Sequence, residues 1–185
     1  FTRKDTPIMM LEFTSMDHID PTKLMVIYSE GDLENTDYFY PEIEDKNLAV
    51  EKVELDFLKY IEDKFFNKDQ SQYLILEKDG FWVCALRLYH IKKNLYYIEA
   101  LETRPEFRKK GYALELLSCV IEALKAKGSF QLFDCVSKKN IASIKTHEKA
   151  GFTILSEEGY DYLSETSDDR DYGMGFEYNS LDDRL

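Results

Sequence analysis

The chain has 185 residues, of which 44% are apolar and 14% aromatic, a composition typical of a globular protein with a buried core. Its net charge of −12 argues against nucleic acids and anionic membranes as partners, because both bind broad basic surfaces. The sequence has no apolar run as long as a membrane span and no signal-peptide core at its start. Its three cysteines are widely separated. These features predict a cytoplasmic protein with reduced thiols.

The amino-terminal part is predicted to contain one strand and two helices, with a long acidic loop between the helices. The strand is predicted over 7–14. Apolar residues at helical spacing predict helices over 17–30, with Asp17 as the cap, and over 47–66. The stretch 30–45 has no period and is rich in acidic and aromatic residues, which predicts a loop.

From residue 73 onward the apolar period changes to that of strands. Strands are predicted over 73–78, 81–91, 95–103, 130–136, 152–156 and 172–178. Helices are predicted from Gly111 to Gly128 and over 140–150, and a second acidic loop over 157–171. The alternation of strands and helices predicts a mixed α/β sheet. The chain has no linker and no repeat, so residues 1–185 are expected to form a single domain.

The segment RPEFRKKGYA, residues 104–113, places four cations and a glycine between a predicted strand and a predicted helix. The first N–H groups of a helix lack internal partners, and the helix dipole adds partial positive charge there. Gly111 lets the backbone approach a ligand closely. The segment therefore indicates an anion site, with a solvated basic loop as the alternative. It is neither a P-loop nor a Rossmann turn, which need further glycines or a Gly-Lys-Ser/Thr sequence.

Two motifs in the correct order resemble the GNAT acetyltransferase family. Residues 108–113 (RKKGYA) resemble its Arg/Gln-x-x-Gly-x-Gly/Ala signature, and residues 140–152 resemble its Asn-x-x-Ala/Ser…Tyr-x-x-x-Gly-Phe motif. The resemblance covers about 73–152, with substrate-side elements expected at about 1–70 and 153–185. It implies a GNAT-like α/β fold, in which a mixed, mostly antiparallel central sheet of about six to seven strands is flanked by about four helices.

The same resemblance implies acetyl-CoA as the donor, with no metal. The pyrophosphate would bind the backbone N–H groups of residues 108–113, and the pantetheine arm would pair with the strand edge at Leu101 and Thr103. The helix that begins near Asn140 would reach the same arm, although an N-cap is an alternative role for that residue. The implied cofactor-binding residues are Leu101, Thr103, Arg108, Lys109, Lys110, Gly111, Tyr112, Ala113, Asn140 and Ser143.

Two residues are implied in catalysis. Glu99 lies where many relatives place the carboxylate that accepts the amine proton, and its alternative is a rim carboxylate that only attracts cations. His147 replaces the tyrosine that most often donates a proton to the coenzyme A thiolate. The spacing of Asn140, Ile144 and His147 places them on one helical face. The alternative for His147 is stabilisation of the helix end, with water as the proton donor.

The implied function is N-acetyl transfer from acetyl-CoA to a primary amine, on a small molecule or a peptide, by direct attack in a ternary complex. The acidic segments 30–45 and 157–171 fall where relatives build the substrate mouth, which suggests a cationic acceptor. One alternative is a non-catalytic module that binds or senses acyl-CoA. Another is transfer of a different acyl group or to a different acceptor. The sequence leaves the acceptor, the acyl group and the oligomeric state, monomer or homodimer, open.

Overall fold

A computed structural model describes residues 6–181, so the first five residues of the FTRKDTPIMM segment and the last four of the chain lie outside the described part. Residues 6–181 form nine strands: β1 (Met9–Phe13), β2 (Gln72–Lys78), β3 (Phe81–Lys92), β4 (Leu95–Thr103), β5 (Phe130–Ser137), β6 (Thr153–Ser156), β7 (Gly159–Asp161), β8 (Thr166–Asp168) and β9 (Asp171–Tyr178). The α-helices are α1 (Pro21–Phe39), α2 (Lys46–Tyr60), α3 (Tyr112–Lys125) and α4 (Ile141–Lys149).

Seven of the strands form one sheet in the order β1-β2-β3-β4-β5-β9-β6, and β7 and β8 form a separate hairpin. The pairs β1/β2, β5/β9 and β6/β9 are antiparallel, whereas β4/β5 is parallel. The predicted mixed, mostly antiparallel sheet with four helices is therefore confirmed. The chain divides into two compact units. One contains the chain up to Ala85 with Glu102–Tyr112, and the other contains Leu86–Leu101 with the chain from Ala113 onward.

In the first unit, the predicted bounds of the first helix are wrong. Asp17 lies in a separate 3-10 turn, Met16–His18, and α1 begins after Asp20, whose carboxylate accepts hydrogen bonds from the N–H groups of the first turn. The helix then runs to Phe39, so most of the predicted loop over 30–45 is helical. The prediction failed because the buried face of α1 continues with polar residues, Asp32 and Thr36, which hide the apolar period.

The gaps between the predicted strands 73–78, 81–91 and 95–103 are tight turns, as their backbone angles show. Asp79 (φ 53) and Gly80 (φ 80) both adopt the left-handed conformation that a two-residue hairpin turn between β2 and β3 requires. Asn94 (φ 61) does the same before β4. These short polar turns fix where β3 and β4 begin, and β2, β3 and β4 all start within one residue of the predicted positions.

In the second unit, α3 has a buried apolar face. The buried side chains of α3 are Leu116, Leu117, Val120, Ile121 and Leu124. Gly128, with φ 115, follows the end of the helix, as expected for a helix stop. The predicted second acidic loop, 157–171, is partly wrong, because it contains the β7–β8 hairpin. Its strands have three residues each and carry mainly polar side chains, too short a pattern to indicate a strand.

Candidate active site

The strands β4 and β5 separate before either of them ends. They pair in parallel from Leu95 with Gln131 to Ile98 with Asp134, and no later pair is found in the described part of the chain. Ala100 has φ 54, a conformation that interrupts the regular strand. We call the separated segments, Glu99–Leu101 and Cys135–Ser137, the fork. The fork leaves an edge of β4 that does not pair with β5, and Leu101 lies on it.

Glu99, the predicted proton acceptor, is the first residue of β4 in the fork. Its Oε2 accepts hydrogen bonds from Arg87 Nε (3.2 Å) and Tyr89 Oη (2.9 Å), and Arg87 Nη2 lies 3.0 Å away. The other oxygen, Oε1, has no hydrogen-bond partner among residues 6–181. The Glu99 side chain is 32% exposed. One oxygen is therefore fixed by the protein, and the other is available to a ligand or to water.

Arg87 and Tyr89 were not among the predicted site residues, although the register of the β3–β4 hairpin leads to Arg87. The His90 and Tyr96 rings stack across the β3–β4 hairpin, with centroids 4.8 Å apart. Counting three residues outward along both strands from this pair brings Arg87 opposite Glu99. The hairpin register therefore identifies the cation that holds the candidate base.

His147 is buried in a bonded pair with Asp134. Its side chain is 1% exposed, its Nε2 lies 2.9 Å from Asp134 Oδ2, and its Nδ1 lies 2.8 Å from the Ser143 carbonyl oxygen. Both ring nitrogens thus face acceptors, an arrangement that suits the doubly protonated imidazolium. Burial by itself lowers the pKa of His147, but the hydrogen bond and charge of Asp134, with the bond to Ser143, raise it above its ordinary value.

Asp134 is the residue that the sequence reasoning missed in this pair. It occupies an inward position of β5, where buried and more exposed residues alternate, and it is 8% exposed. A buried acid on an otherwise apolar strand face needs a partner, so this position was the available signal. Asp134 also forms the last β4/β5 pair, with Ile98, so the His147–Asp134 pair joins α4 to the base of the fork.

The turn at residues 104–111 has the backbone that the anion-site prediction requires. It begins with a 3-10 turn, Pro105–Phe107, and then passes through two left-handed residues, Lys109 (φ 60) and Gly111 (φ 84). A Cβ atom added at Gly111 would meet nothing within 4 Å, so the backbone there faces open space. The helix α3 starts at the next residue, Tyr112, and its first N–H groups have no partner within the helix.

Arg108 is engaged with the protein itself. Its guanidinium forms ion pairs with Glu30 on α1 and with Glu102 (3.1 Å), and its Nε donates to the Thr103 carbonyl (3.4 Å). Two carboxylates thus offset its charge, and its bonds hold the turn against the end of β4. Arg108 therefore ties the turn to α1 and to the end of β4.

The positive charge of the turn comes from its two lysines. Lys109 and Lys110 form no ion pair among residues 6–181. The Lys110 ammonium lies 5.1 Å from the centre of the Phe107 ring, which keeps it beside the turn. These are the cations that remain available to a ligand.

Asn140 is the N-cap of α4, as the alternative reading of this residue states. Its Oδ1 accepts a hydrogen bond from the Ser143 N–H (3.0 Å), and the residue is exposed. Its amide Nδ2 has no partner in the part of the chain that the structure describes. The cap uses one end of the side chain, so the predicted ligand contact can use the other. Ser143 Oγ lies 3.4 Å from His147 Nδ1, and Thr103 Oγ1 is directed at Cys84 Sγ (3.4 Å).

The acidic segments use part of their charge locally. Asp168 is bonded to Arg170 Nε (2.9 Å), and the Asp161 carboxylate accepts from the Leu163 N–H (2.8 Å). Among residues 6–181, no group of three or more His, Cys, Asp or Glu side chains is arranged to hold a metal ion. Within the same residues, none of the helices combines the length and the apolar character needed to cross a membrane.

Comparison with known proteins gives a family match and several similar folds. The sequence model of the acetyltransferase (GNAT) family matches residues 32–152. The PaiA N-acetyltransferase of Thermoplasma acidophilum, solved with coenzyme A, has a TM-score of 0.61 at 19% identity, covering 94% of this chain and 100% of that chain. The N-acetyltransferase PseH of Campylobacter jejuni, solved with acetyl coenzyme A, has a TM-score of 0.59 at 19% identity, with coverages of 94% and 100%.

An IAA acetyltransferase from Bacillus cereus has a TM-score of 0.58 at 14% identity, covering 93% of this chain and 100% of that chain. No curated protein sequence matches the chain. At these identities the solved structures show a shared fold.

Proposed function

The chain belongs to the acetyltransferase (GNAT) family, and from this premise we propose that it transfers the acetyl group of acetyl-CoA to a primary amine. The observation that carries the proposal is the backbone from Glu99 to Tyr112. It combines the end of β4, which no longer pairs with β5, with a left-handed turn that faces open space at Gly111 and leads into a helix. Such a strand end and such a turn suit the two chemically different parts of one ligand, an amide-containing arm and a pyrophosphate.

The residues that would hold the donor follow from these two parts. The N–H groups of Gly111, Tyr112 and Ala113, with the charges of Lys109 and Lys110, suit the pyrophosphate. The edge of β4 at Leu101 and Thr103 suits the pantetheine arm, together with the Asn140 amide and Ser143. Arg108 acts indirectly, by holding the turn in place. Two similar folds were solved with coenzyme A or acetyl coenzyme A, which supports the same donor here.

The chemistry requires an N–C bond to form as the C–S bond of the thioester breaks. Glu99 Oε1 accepts the proton that the amine loses, directly or through one water, while Arg87 and Tyr89 hold the carboxylate by Oε2. Binding both substrates in one complex supplies much of the rate by proximity. The amine loses one proton and the leaving thiolate gains one, so the overall reaction conserves protons.

For His147 the contacts favour a positioning role over the proton-donor role that the family resemblance implies. The ring is buried, and both nitrogens are bonded to Asp134 and to the Ser143 carbonyl. We propose that water protonates the thiolate and that His147 holds α4, with Asn140 at its start. The pH profile of kcat separates the roles. A donor requires kcat to fall as pH rises through the raised pKa of His147, whereas a positioning residue imposes no such fall.

The function is tested by the release of free thiol from acetyl-CoA in the presence of an amine panel. The panel contains diamines, amino sugars and lysine-like amines, with neutral amines as the comparison, and calorimetry measures acetyl-CoA binding separately. We expect amine-dependent thiol release and an acetylated amine in the mass spectrum, with cationic amines preferred. Reaction of neutral amines alone would refute the cationic acceptor. Binding of acetyl-CoA without thiol release for every amine would favour the non-catalytic acyl-CoA-binding module. Reaction with a longer acyl-CoA but not with acetyl-CoA would mean that the enzyme transfers a different acyl group.

A further inference from the structure

The helices α1 and α2 of the first unit, with Tyr40 from the segment between them, line an open cavity of about 220 Å³. Two carboxyl groups, one amide and three aromatic rings are among the groups that line it: Asp32, Asp56, Asn35, Phe39, Tyr40 and Phe57. This composition combines negative charge with aromatic faces, which is the chemistry that recognises organic ammonium ions. No step of the proposed acetyl transfer uses it.

Asp32 is the buried carboxyl group of this lining. It is 5% exposed, and its Oδ2 has no hydrogen-bond partner among residues 6–181. Buried carboxylates in folded proteins are normally paired, because an unpaired charge loses its hydration without compensation. Burial, with the charge of Glu54 on α2, raises the pKa of Asp32 to about 7. The described part of the protein thus places an acid in the cavity lining without supplying a hydrogen-bond partner for its Oδ2 atom.

A cation of the protein already lies against one of the aromatic rings that line the cavity. Tyr40 donates its hydroxyl hydrogen bond to Asp56, and the Lys52 ammonium lies 5.3 Å from the centre of the Tyr40 ring. Lys52 lies over the Tyr40 ring and does not bond to Asp32 Oδ2. A second cation that enters the cavity would meet the carboxyl group of Asp32. The aromatic rings of the lining and the buried acid therefore favour the same charge.

We propose that this cavity binds a primary alkylammonium ion, with its ammonium group on Asp32 and its alkyl chain against Phe39 and Phe57. A primary ammonium supplies the N–H donors that Asp32 Oδ2 lacks, which a quaternary ammonium would not. The cavity is smaller than the roughly 300–1,000 Å³ of common small-molecule sites, so it suits a short chain. The inference does not rest on acetyl transfer, because all of these residues belong to the first unit and binding needs no donor.

The probe is butylammonium chloride, titrated into the full chain without acetyl-CoA and followed by the backbone ¹H–¹⁵N shifts of α1 and α2. The uncharged comparison is 1-butanol. Asp32→Asn removes the buried charge, and Glu34→Gln, an exposed residue of the same helix, removes an equal charge outside the lining. We expect saturable binding, a Kd raised about tenfold or more by Asp32→Asn, and a change of less than about twofold for Glu34→Gln.

Equal affinity of Asp32→Asn and the original chain, or of butanol and butylammonium, would overturn the proposal and leave only an apolar cavity. If the Asn variant does not fold, the ¹³C shift of the Asp32 carboxyl in the original chain decides. It must move on addition of butylammonium and stay unchanged with butanol. Because no acetyl-CoA is present, failure here leaves the proposed acetyl transfer intact, and failure of acetyl transfer leaves this result intact.

Discussion

Among residues 6–181, two carboxyl groups are buried, and they lie in different regions with opposite surroundings. Asp134, at the base of the fork, is bonded to His147 at 2.9 Å. Asp32, between α1 and α2, leaves one oxygen without a partner. The first region supplies the opposite charge from its own chain, whereas the second does not. A paired buried acid fixes the packing of two elements, and an unpaired one lowers stability unless a ligand or a proton compensates it.

The largest expected effect is on the paired acid. Asp134→Asn leaves His147 buried without its counter-charge, which should lower the free energy of unfolding by about 3–5 kcal/mol, measured by urea denaturation at pH 6. The matched control is Asp168→Asn, which breaks an exposed ion pair with Arg170 and should leave the midpoint unchanged within error. Equal effects of the two substitutions would show that burial of the pair does not matter.

The same pair sets the pH dependence of stability. The pKa of His147 is raised in the folded chain, so its contribution is fully present below the unfolded value of about 6.5 and is lost as pH rises through the folded value. The original chain should therefore lose stability above about pH 6.5, and the loss should be smaller in Asp134→Asn.

In its hydrogen bonding, Glu99 is intermediate between the two buried acids, because its Oε2 is bonded to the protein and its Oε1 is available. Glu99→Gln should lower kcat by roughly 10²–10⁴, because an amide cannot accept the amine proton. Calorimetric affinity for acetyl-CoA should stay unchanged. Tyr89→Phe, which removes one bond to Oε2 and keeps the carboxylate, is the matched control and should cost much less. If Glu99→Gln retains full turnover, the base is elsewhere and Glu99 is only a rim carboxylate.

The two regions also differ in how far the sequence predicts them. In the segment from β2 to α4, the decisive residues act on the backbone: Asp79-Gly80 sets a turn, Gly111 ends another, and Asn140 caps a helix. Such residues constrain their own neighbours, so their roles are readable in sequence order. The separation of β4 from β5 was not predicted, because Ala100 gives no local signal for its left-handed conformation.

The helix pair was harder to predict because its buried face is polar. Asp32 and Thr36 occupy buried positions of α1, so a search for apolar periodicity ends the helix near Gly31. The His147–Asp134 bond failed to emerge for a related reason: it joins residues 13 apart on two elements. Pairing of polar side chains across elements depends on packing, which the local pattern does not contain.

Two glycines extend the comparison to the backbone, since a Cβ atom at either would meet nothing within 4 Å. Gly111 has φ 84 and lies where the donor is proposed to bind, whereas Gly31 lies inside α1. Gly111→Val places a branched side chain in the open space above the turn. It should weaken acetyl-CoA binding about 100-fold, as expected for the loss of one or two hydrogen bonds to charged groups. Unchanged affinity by calorimetry would remove the turn from the donor site.

Asp32→Asn should act on stability in the direction opposite to Asp134→Asn. The pKa of Asp32 is raised to about 7, so the folded chain disfavours its ionised form and loses stability as pH rises from about 4 to 7. The substitution should remove this loss and raise the free energy of unfolding at pH 8 by about 2 kcal/mol, with little difference near pH 4. Urea denaturation at both pH values checks it. A destabilised variant at pH 8 would mean that the carboxylate has a partner after all.

The smallest effect distinguishes the observed helix from the loop that periodicity predicts. Gly31→Ala should raise the free energy of unfolding by about 0.5–1 kcal/mol, because alanine restricts the unfolded chain and fits a helix interior. That corresponds to a rise in Tm of roughly 2–4 °C for a chain of this size. Gly111→Ala is the matched substitution at positive φ and should lower Tm instead. If both changes lower Tm, residues 31–39 do not continue α1, and the cavity that Asp32 and Phe39 line loses its wall.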